Sequence, residues 1–320
     1  MERLTTVGFH HGVMVTRDLG RALGFYRDLL GMRVYAEPHG GDGPREAVVG
    51  VGEATSSGAL LVLEEAPDAA QGHPGIGGVH HIALGVDTED SLLRWKRWLM
   101  DRGVPVSGPY DRGYFTSLYF RDPDGQVLEL ATAGPGYAVD EPADALGREV
   151  VYPPDRIVRG HRDERAIAAL THPEPVREIG PEMRLDGIHH VSGITDDLDR
   201  AGEFLEGVLG LALVKETTIR DAPDMLHYFW ARYDGSEVAP GTSYTLFLFP
   251  PHWKRALAGA GQTSLVAFRA GTEANLRAWR DHLVTHDVDV SPVEDRGAWK
   301  MIRFRAPDGQ AFALATDPEF

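Results

Sequence analysis

The chain has no cysteine among its 320 residues. Disulfides, thiolate-bound metals and a cysteine nucleophile are therefore excluded, and a reducing compartment suits such a composition. Positive charge is also scarce, because 32 Lys and Arg residues stand against 48 Asp and Glu residues, giving a formal net charge of −16. We therefore expect neither a nucleic-acid partner nor an anionic membrane surface as partner.

Long hydrophobic runs are missing as well. No apolar stretch approaches the roughly 20 residues that a membrane-spanning helix needs. The N-terminal sequence MERLTTVGFHHG lacks the basic and apolar regions of a secretory signal. We therefore expect a globular, cytoplasmic protein.

What the sequence does contain is a repeat. DPDGQVLELAT (122–132) and APDGQAFALAT (306–316) are identical at seven of eleven positions and lie 306 − 122 = 184 residues apart. The same offset continues upstream without a gap. A second pair of copies, 9–37 and 188–216, is related by a shift of 179 residues. Self-similarity of this extent indicates a duplicated structural unit.

Each copy predicts the same order of elements. In the second copy, the strand VHHIALGV (79–86) precedes a helix whose apolar residues Leu92, Trp95 and Leu99 recur at helical spacing, with Asp or Thr just before it as an N-cap. Three further strands and a PDG turn follow. We predict an α+β fold in which four βαβββ modules pair into two half-barrel cups, with the modules at roughly 3–66, 78–132, 186–250 and 262–317.

The predicted domain organisation has three parts. Residues 1–135 form a first half with two modules, and residues 186–320 form a second half with the other two. Residues 136–185 are rich in Pro, Gly and charge, and we interpret them as a long connecting segment that wraps the surface and contains a helix near RDERAIAAL.

The copies differ at positions that matter chemically. At the 184-residue offset, Glu129 corresponds to Ala313 and His81 to Leu265. Alternation along the strand places Glu129 on a face of small residues, away from Leu128. A carboxylate in the middle of an apolar strand costs several kcal/mol to bury unless it is paired or bound to a cation.

Histidine pairs begin three of the four copies, at 10–11, 80–81 and 189–190. Alternation puts His81 on the face of Ala83 and Gly85, and His80 on the opposite face. Two imidazoles and one carboxylate converging on a cup are the ligand set expected of non-haem Fe(II) enzymes. The competing interpretation is that strand histidines are structural and that the pairs were inherited by duplication.

These features resemble the vicinal oxygen chelate superfamily of glyoxalases, bleomycin-resistance proteins and extradiol dioxygenases, which is built from paired βαβββ modules. Within it, the sequence is most similar to hydroquinone-type ring-cleaving dioxygenases. IHHVSGIT and the residues after it, to 250, resemble that group's N-terminal module. VHHIALGV and DRGYFTSLYFRDPDGQVLELAT resemble its last module, so the halves stand here in swapped order.

The resemblance implies a metal site made by His81, Glu129 and His190, holding Fe(II) or, less readily, Mn(II). If the first two modules paired instead, His11 would replace His190 as the third ligand. The resemblance also implies that His227 lines the pocket. It further implies catalytic roles for four neighbouring residues: Arg112, Tyr119, His80 and His189.

The implied activity is extradiol-type cleavage of a hydroquinone or catechol-like substrate by O₂, in a protein that we expect to be a homo-oligomer because module edges are exposed. One alternative is a glyoxalase-like isomerase, although such sites use two acidic ligands and the strand YTLFLFP (244–250) has no acid. The other alternative is a metal-free protein that binds a small molecule.

Overall fold

The structure is a computed structural model that describes residues 4–39, 44–56 and 58–320. The first predicted module, 3–66, thus begins at a residue outside the described ranges. The sixteen strands found in the described residues form two eight-stranded sheets, and four helices of the modules pack beside them. The predicted α+β fold of four βαβββ modules paired into two half-barrel cups is confirmed.

The strands follow the predicted order within each module. Modules one and two contain β1 (Phe9–Thr16), β2 (Arg33–His39), β3 (Glu46–Gly50), β4 (Leu60–Glu65), β5 (Gly78–Val86), β6 (Ser107–Asp111), β7 (Thr116–Arg121) and β8 (Val127–Thr132). Modules three and four contain β9 (Leu185–Thr195), β10 (Ala212–Ile219), β11 (Ala222–Ala231), β12 (Ser243–Leu248), β13 (Gln262–Gly271), β14 (Glu294–Asp295), β15 (Lys300–Arg305) and β16 (Ala311–Thr316).

Each sheet pairs one module from the first half of the chain with one module from the second half. One sheet, here the 2–3 cup, has the order β10-β11-β12-β9-β5-β8-β7-β6 and joins modules two and three. The other, here the 1–4 cup, has the order β14-β15-β16-β13-β1-β4-β3-β2 and joins modules one and four. The division into 1–135, 136–185 and 186–320 stays a prediction about domains, and each sheet takes one module from either half.

The helices begin where the sequence places a cap. Thr88 and Thr272, twins at the 184-residue offset, each accept a hydrogen bond from the backbone N–H three residues on, at 3.1 and 3.2 Å. This contact satisfies one of the free N–H groups of the first helical turn. The helices are α1 (Leu19–Leu23, continued by a π-helical turn over Gly24–Leu29), α2 (Glu89–Asp101), α3 (Glu164–Ala169), α4 (Leu198–Gly207) and α5 (Glu273–Thr285).

The main hydrophobic core lies between the helices and the convex faces of the sheets. Leu128 and Leu130 of β8 belong to it together with Trp95 and Leu99 of α2. Glu129, between the two leucines, lines the concave side of the 2–3 cup, as the alternation predicts. None of the helices in the described ranges has the length and apolar character required to cross a membrane.

Candidate metal centre

Three neighbouring strands of the 2–3 cup bring His81, Glu129 and His190 together. The central strand β5 pairs in parallel with β8, where Ala83 lies opposite Glu129, and antiparallel with β9, where Ala83 lies opposite His190. His81 is two residues before Ala83 and therefore shares its face. The three side chains converge on the floor of the cup, and each residue is at most 2% exposed.

The facing atoms of these residues are close enough to share one ion. Oε2 of Glu129 lies 2.7 Å from Nε2 of His81 and 3.3 Å from Nε2 of His190, and the two Nε2 atoms lie 3.3 Å apart. Two ligands at right angles around a first-row metal, each bound at roughly 2.1 Å, lie about 3.0 Å from one another. The observed separations bracket that value.

The donor set also fits a cation chemically. Neither carboxylate oxygen of Glu129 receives a hydrogen bond of acceptable geometry from the described residues, even though Oε2 is so close to His81. Burying a carboxylate that accepts no hydrogen bond is unfavourable in free energy. A metal ion bound between the three groups would compensate for this penalty. Within the described ranges this is the one group of three or more His, Asp and Glu side chains close enough to hold an ion.

The directions of the pKa shifts of Glu129 and His81 favour the forms of these groups that bind a metal. Burial by itself favours a neutral carboxyl, but the imidazoles of His190 and His81 hold the pKa of Glu129 well below its usual value. Burial lowers the pKa of His81, against the opposing pull of Glu129. An anionic carboxylate beside a neutral imidazole is the state in which both groups donate lone pairs to a metal.

Each histidine of the centre is held by the histidine that precedes it. Nδ1 of His80 lies 2.8 Å from Nδ1 of His81, and Nδ1 of His189 lies 2.9 Å from Nδ1 of His190. When Nδ1 of the ligand histidine carries the proton and donates it to Nδ1 of the preceding histidine, Nε2 of the ligand residue is free for a metal. Ligating histidines commonly donate the other ring N–H to a neighbouring acceptor.

A β-bulge explains why His80 reaches the cup although alternation predicts it on the opposite face. The register of β5 against β9 shifts between Val79 and His81. Two consecutive residues then lie near the same face, and both His80 and His81 line the cavity. The prediction from alternation was wrong for His80, because a bulge cannot be read from the period of the strand.

Arg112 and Tyr119 stand beside the three residues. The Tyr119 ring meets the His81 ring edge-on at 5.7 Å, and the Arg112 guanidinium lies 5.2 Å from the Tyr119 ring centroid. Burial raises the pKa of Tyr119, against the opposing effect of Arg112, so the residue stays a phenol that can donate a hydrogen bond. Arg112 donates to Oδ2 of Asp221 at 3.0 Å and is 8% exposed.

The cavity above the three residues has a volume of about 550 Å³. His227 contributes to its wall, as the resemblance implied, with its ring 4.1 Å from that of Phe229 and 4.2 Å from that of Phe247. Its Nε2 lies 2.9 Å from the hydroxyl of Thr245. A space of this size accommodates a substituted single ring.

His11 lies in the other sheet. It lines the 1–4 cup, where its ring is 5.0 Å from that of Trp299, and Leu265 and Ala313 of that cup stand where the 2–3 cup has His81 and Glu129. The structure therefore groups His190, and not His11, with the other two candidate ligands.

Sequence reasoning missed the contribution of the connecting segment to this site. Arg159, Arg162 and Glu164 line the cavity, together with Arg220 and Asp221 of the turn between β10 and β11. The signal available in the sequence was the density of charge in RIVRGHRDE (156–164), which a surface-wrapping segment explains equally well.

The sequence matches the family model described as "Glyoxalase/Bleomycin resistance protein/Dioxygenase superfamily" over residues 8–130 and 187–314. These two ranges together make up well over half of the chain.

Individual relatives match shorter parts of the chain than the family model does. The provisionally named ring-cleaving dioxygenase MhqA of Bacillus subtilis is 41% identical over 117 residues, which are 34% of this chain and 37% of MhqA. The chlorohydroquinone/hydroquinone 1,2-dioxygenase of Sphingobium indicum is 33% identical over 142 residues, 43% of this chain and 43% of that protein. The chain thus spans less than half the length of these relatives.

Solved structures match over nearly the whole chain. A provisionally named dioxygenase from Bacillus subtilis superposes with a TM-score of 0.73 at 22% identity, covering 99% of this chain and 87% of that one. Glyoxalase I from Zea mays superposes with a TM-score of 0.62 at 18% identity, covering 97% and 92%. At these identities the likeness establishes the fold alone.

Proposed function

Because the chain belongs to the glyoxalase/bleomycin resistance protein/dioxygenase superfamily, we propose that it is a ring-cleaving dioxygenase of the extradiol type. In this proposal His81, Glu129 and His190 hold Fe(II), or less readily Mn(II), and the substrate is a hydroquinone or catechol-like diol. Both atoms of O₂ enter the ring-opened product, so the reaction needs no external reductant.

The observation that carries the proposal is the composition of the buried donor set. Two imidazoles and one carboxylate leave open positions on a non-haem Fe(II) ion for substrate and O₂. The relative from Sphingobium indicum, which matches 43% of this chain, is named as a dioxygenase of hydroquinone, and hydroquinone is such a diol. A glyoxalase-like isomerase is less well supported, because the described part of the centre contains a single carboxylate and such sites use two.

A metal held by His81, Glu129 and His190 would supply Lewis acidity, which lowers the pKa of a substrate hydroxyl. Arg112 supplies a buried positive charge next to the anion that forms, and such preorganised charge acts strongly where water is excluded. Tyr119 donates a hydrogen bond from a phenol that stays protonated. His80 and His189 orient the ligand imidazoles through their Nδ1 contacts, and His80 also lines the cavity, where it is placed to transfer a proton.

The test combines metal analysis with oxygen uptake. Protein produced with iron and purified anaerobically is expected to contain iron and to consume O₂ with hydroquinone or catechol but not to isomerise a hemithioacetal. Iron-supplied protein that contains no metal would refute the proposed centre. Isomerisation of the hemithioacetal without oxygen uptake with any diol would instead establish the isomerase.

We further propose that the protein is cytoplasmic, since a reducing compartment maintains Fe(II), and that it forms a homo-oligomer. Light scattering after gel filtration measures the oligomeric state, and a monomer would contradict that part of the proposal. With a net charge of −16, the chain is not expected to associate with nucleic acid.

A further inference from the structure

One wall of the 2–3 cup comes from the connecting segment and not from any module. Its helix α3 is held in place by Lys96 of α2, a residue 1% exposed, whose ammonium donates to the carbonyls of Ile167 at 3.2 Å and Ala168 at 2.9 Å. Just before α3, the backbone N–H of Arg159 donates to the carbonyl of Arg220 at 2.9 Å. The wall is thus fixed to both modules of the cup.

This wall places Arg162 in the lining of the cavity, where Asp221 links it to Arg112 beside the candidate metal centre. Nη2 of Arg162 donates to Oδ1 of Asp221 at 2.6 Å, and Nη1 of Arg112 donates to Oδ2 of the same carboxylate at 3.0 Å. The side chain of Arg162 is 5% exposed and its guanidinium lies 4.2 Å from the ring centroid of Tyr110.

Arg162 retains hydrogen-bonding capacity. Its Nε donates to Glu164 at 2.8 Å, but Nη1 has no acceptor among the residues that the structure describes. A guanidinium carries five donors in a rigid fork that matches a carboxylate. A buried donor without an acceptor is costly, so an acceptor supplied by a ligand would be favoured there.

The charge of the cavity lining also favours an anionic ligand. Five arginines line the 2–3 cup against three carboxylates, so the lining carries an excess of two positive charges in a protein whose net charge is −16. The 1–4 cup is lined by three arginines and four carboxylates. An excess of positive charge inside a cleft of an acidic protein attracts and retains an anion. The arginines of the 2–3 cup are Arg112, Arg121, Arg159, Arg162 and Arg220, and its carboxylates are Glu129, Glu164 and Asp221.

Arg220 strengthens this field because it forms no ion pair with an acid among the residues that the structure describes. It is 3% exposed, and its guanidinium donates to the carbonyls of Arg112 and Thr218 and to the hydroxyl of Thr217. Backbone carbonyls satisfy its hydrogen bonds without cancelling its positive charge.

We propose that Arg162 is a specificity residue that binds an acidic ring substituent, so that the preferred substrate is a dihydroxylated aromatic acid and not a neutral diol. This inference rests on the proposed function and narrows its substrate class. In this arrangement the hydroxyl groups would lie toward a metal held by His81, Glu129 and His190, and the wall built by the connecting segment recognises the carboxylate.

The test compares a neutral and an acidic diol on the iron-loaded enzyme. Oxygen uptake gives kcat/KM for hydroquinone, 2,5-dihydroxybenzoate and 2,5-dihydroxyphenylacetate, and anaerobic calorimetry gives their dissociation constants independently of turnover. A charged hydrogen bond of roughly 1.5–3 kcal/mol corresponds to a preference of about tenfold or more for at least one acid.

Variants of Arg162 test whether this residue causes the preference for the acidic diol. Arg162→Met is expected to lower the acid-to-neutral ratio of kcat/KM by about tenfold, mainly through KM and with a matching loss of anaerobic affinity for the acid. Arg162→Lys keeps the charge and should recover part of the ratio. The matched control is Arg156→Met in the same segment, since Arg156 is 71% exposed, pairs with Asp111 outside the cavity lining and should leave the ratio unchanged.

The outcomes separate this inference from the function on which it depends. A wild-type enzyme that turns over neutral diols at least as well as both acids refutes the acidic substrate and leaves the dioxygenase standing. If Arg162→Met leaves the acid-to-neutral ratio of kcat/KM unchanged, the proposed role of Arg162 is refuted. If iron-loaded wild type consumes no O₂ with any diol, the proposed function fails and this inference fails with it. The wild-type comparison decides the substrate class even if Arg162→Met does not fold.

Discussion

The two cups share a scaffold but differ on their concave faces. Both are eight-stranded sheets assembled from two βαβββ modules, with the first strands of the paired modules antiparallel at the centre. In the 1–4 cup, Leu265 and Ala313 occupy the positions of His81 and Glu129, and both belong to an apolar cluster with Val13 and Val62. The fold therefore does not require His81 or Glu129, whereas His11 of the 1–4 cup is the twin of His190. Two substitutions on one face separate the 1–4 cup from the cup that carries the three candidate ligands.

The arginine twins show which contacts belong to the scaffold. Arg296, the twin of Arg112, donates to Glu46 at 2.6 Å, just as Arg112 donates to Asp221. In both cups the pair links the loop before the penultimate strand to the partner module. An ion pair at this position is thus part of the inherited architecture, and Arg112 carries a structural role alongside the catalytic one proposed for it.

The largest expected effect comes from making the 2–3 cup resemble its twin. Glu129→Ala should reduce bound metal to background, measured by elemental analysis, because two neutral imidazoles alone bind a divalent ion weakly. The circular dichroism spectrum should be retained, since strand β16 already folds with Ala313 at that position.

Its control is Glu64→Ala in the 1–4 cup, which removes a carboxylate from the other cavity and should leave the metal content unchanged. Full metal occupancy in Glu129→Ala would mean that the carboxylate is not a ligand.

The paired histidines give the next test. His190→Ala should lose metal while His11→Ala retains it, because His190 faces His81 at 3.3 Å and His11 belongs to the other sheet. Elemental analysis and oxygen uptake of the two variants, prepared in parallel, measure the difference. Metal loss in His11→Ala with retention in His190→Ala would show that the ligands come from a different pairing of modules.

Metal removal should destabilise the wild-type protein but not a variant that lacks Glu129. A ligand present at 100 times its dissociation constant adds about 2.7 kcal/mol to the free energy of unfolding. A strong chelator should therefore lower the melting temperature of the wild-type protein, followed by calorimetry. Glu129→Ala should show no such shift, and a chelator effect of equal size in that variant would contradict the assignment of the centre.

The smallest expected effect concerns the wall that the connecting segment adds to the 2–3 cup. Lys96→Met should lower the free energy of unfolding by about 1–3 kcal/mol, because the buried carbonyl of Gly108 and the partly buried contacts to the carbonyls of Ile167 and Ala168 lose their charged donor. Chemical denaturation measures the change.

The twin residue Arg280 provides the control for this variant. It lies at the same place on α5 and has no hydrogen-bond or ion-pair partner in the described part of the chain, so Arg280→Met should stay within about 0.5 kcal/mol. Equal losses in both variants would show that Lys96 acts through helix α2 and not through the wall.

Much of the fold could be predicted because its information is local. The helical spacing of Leu92, Trp95 and Leu99, the Thr88 cap and the PDG turn each specify their structure within a few residues. The turn glycines Gly125 and Gly309 adopt φ values of +97° and +101°, which only glycine adopts without strain. Glu129 could be identified as a candidate ligand because its twin is an alanine.

Other parts of the site could not be predicted, because they depend on contacts between distant segments. The bulge that brings His80 to the cup arises from the register between β5 and β9, and nothing in VHHIALGV alone specifies it. Arg162 meets Asp221 across 59 residues of chain, and either residue alone is an ordinary surface charge in the sequence.

The sequence by itself determined the modules, their number and the candidate ligands, since periodicity, caps and a repeat with one divergent strand are properties of the chain alone. Only the tertiary structure decided that module two pairs with module three, that His190 and not His11 faces Glu129, and that the connecting segment completes the cup. The physical reason is that a strand edge or a charged side chain can be satisfied by any suitable partner that the whole fold brings within a few ångströms. Which partner that is cannot be predicted from one local segment of the sequence.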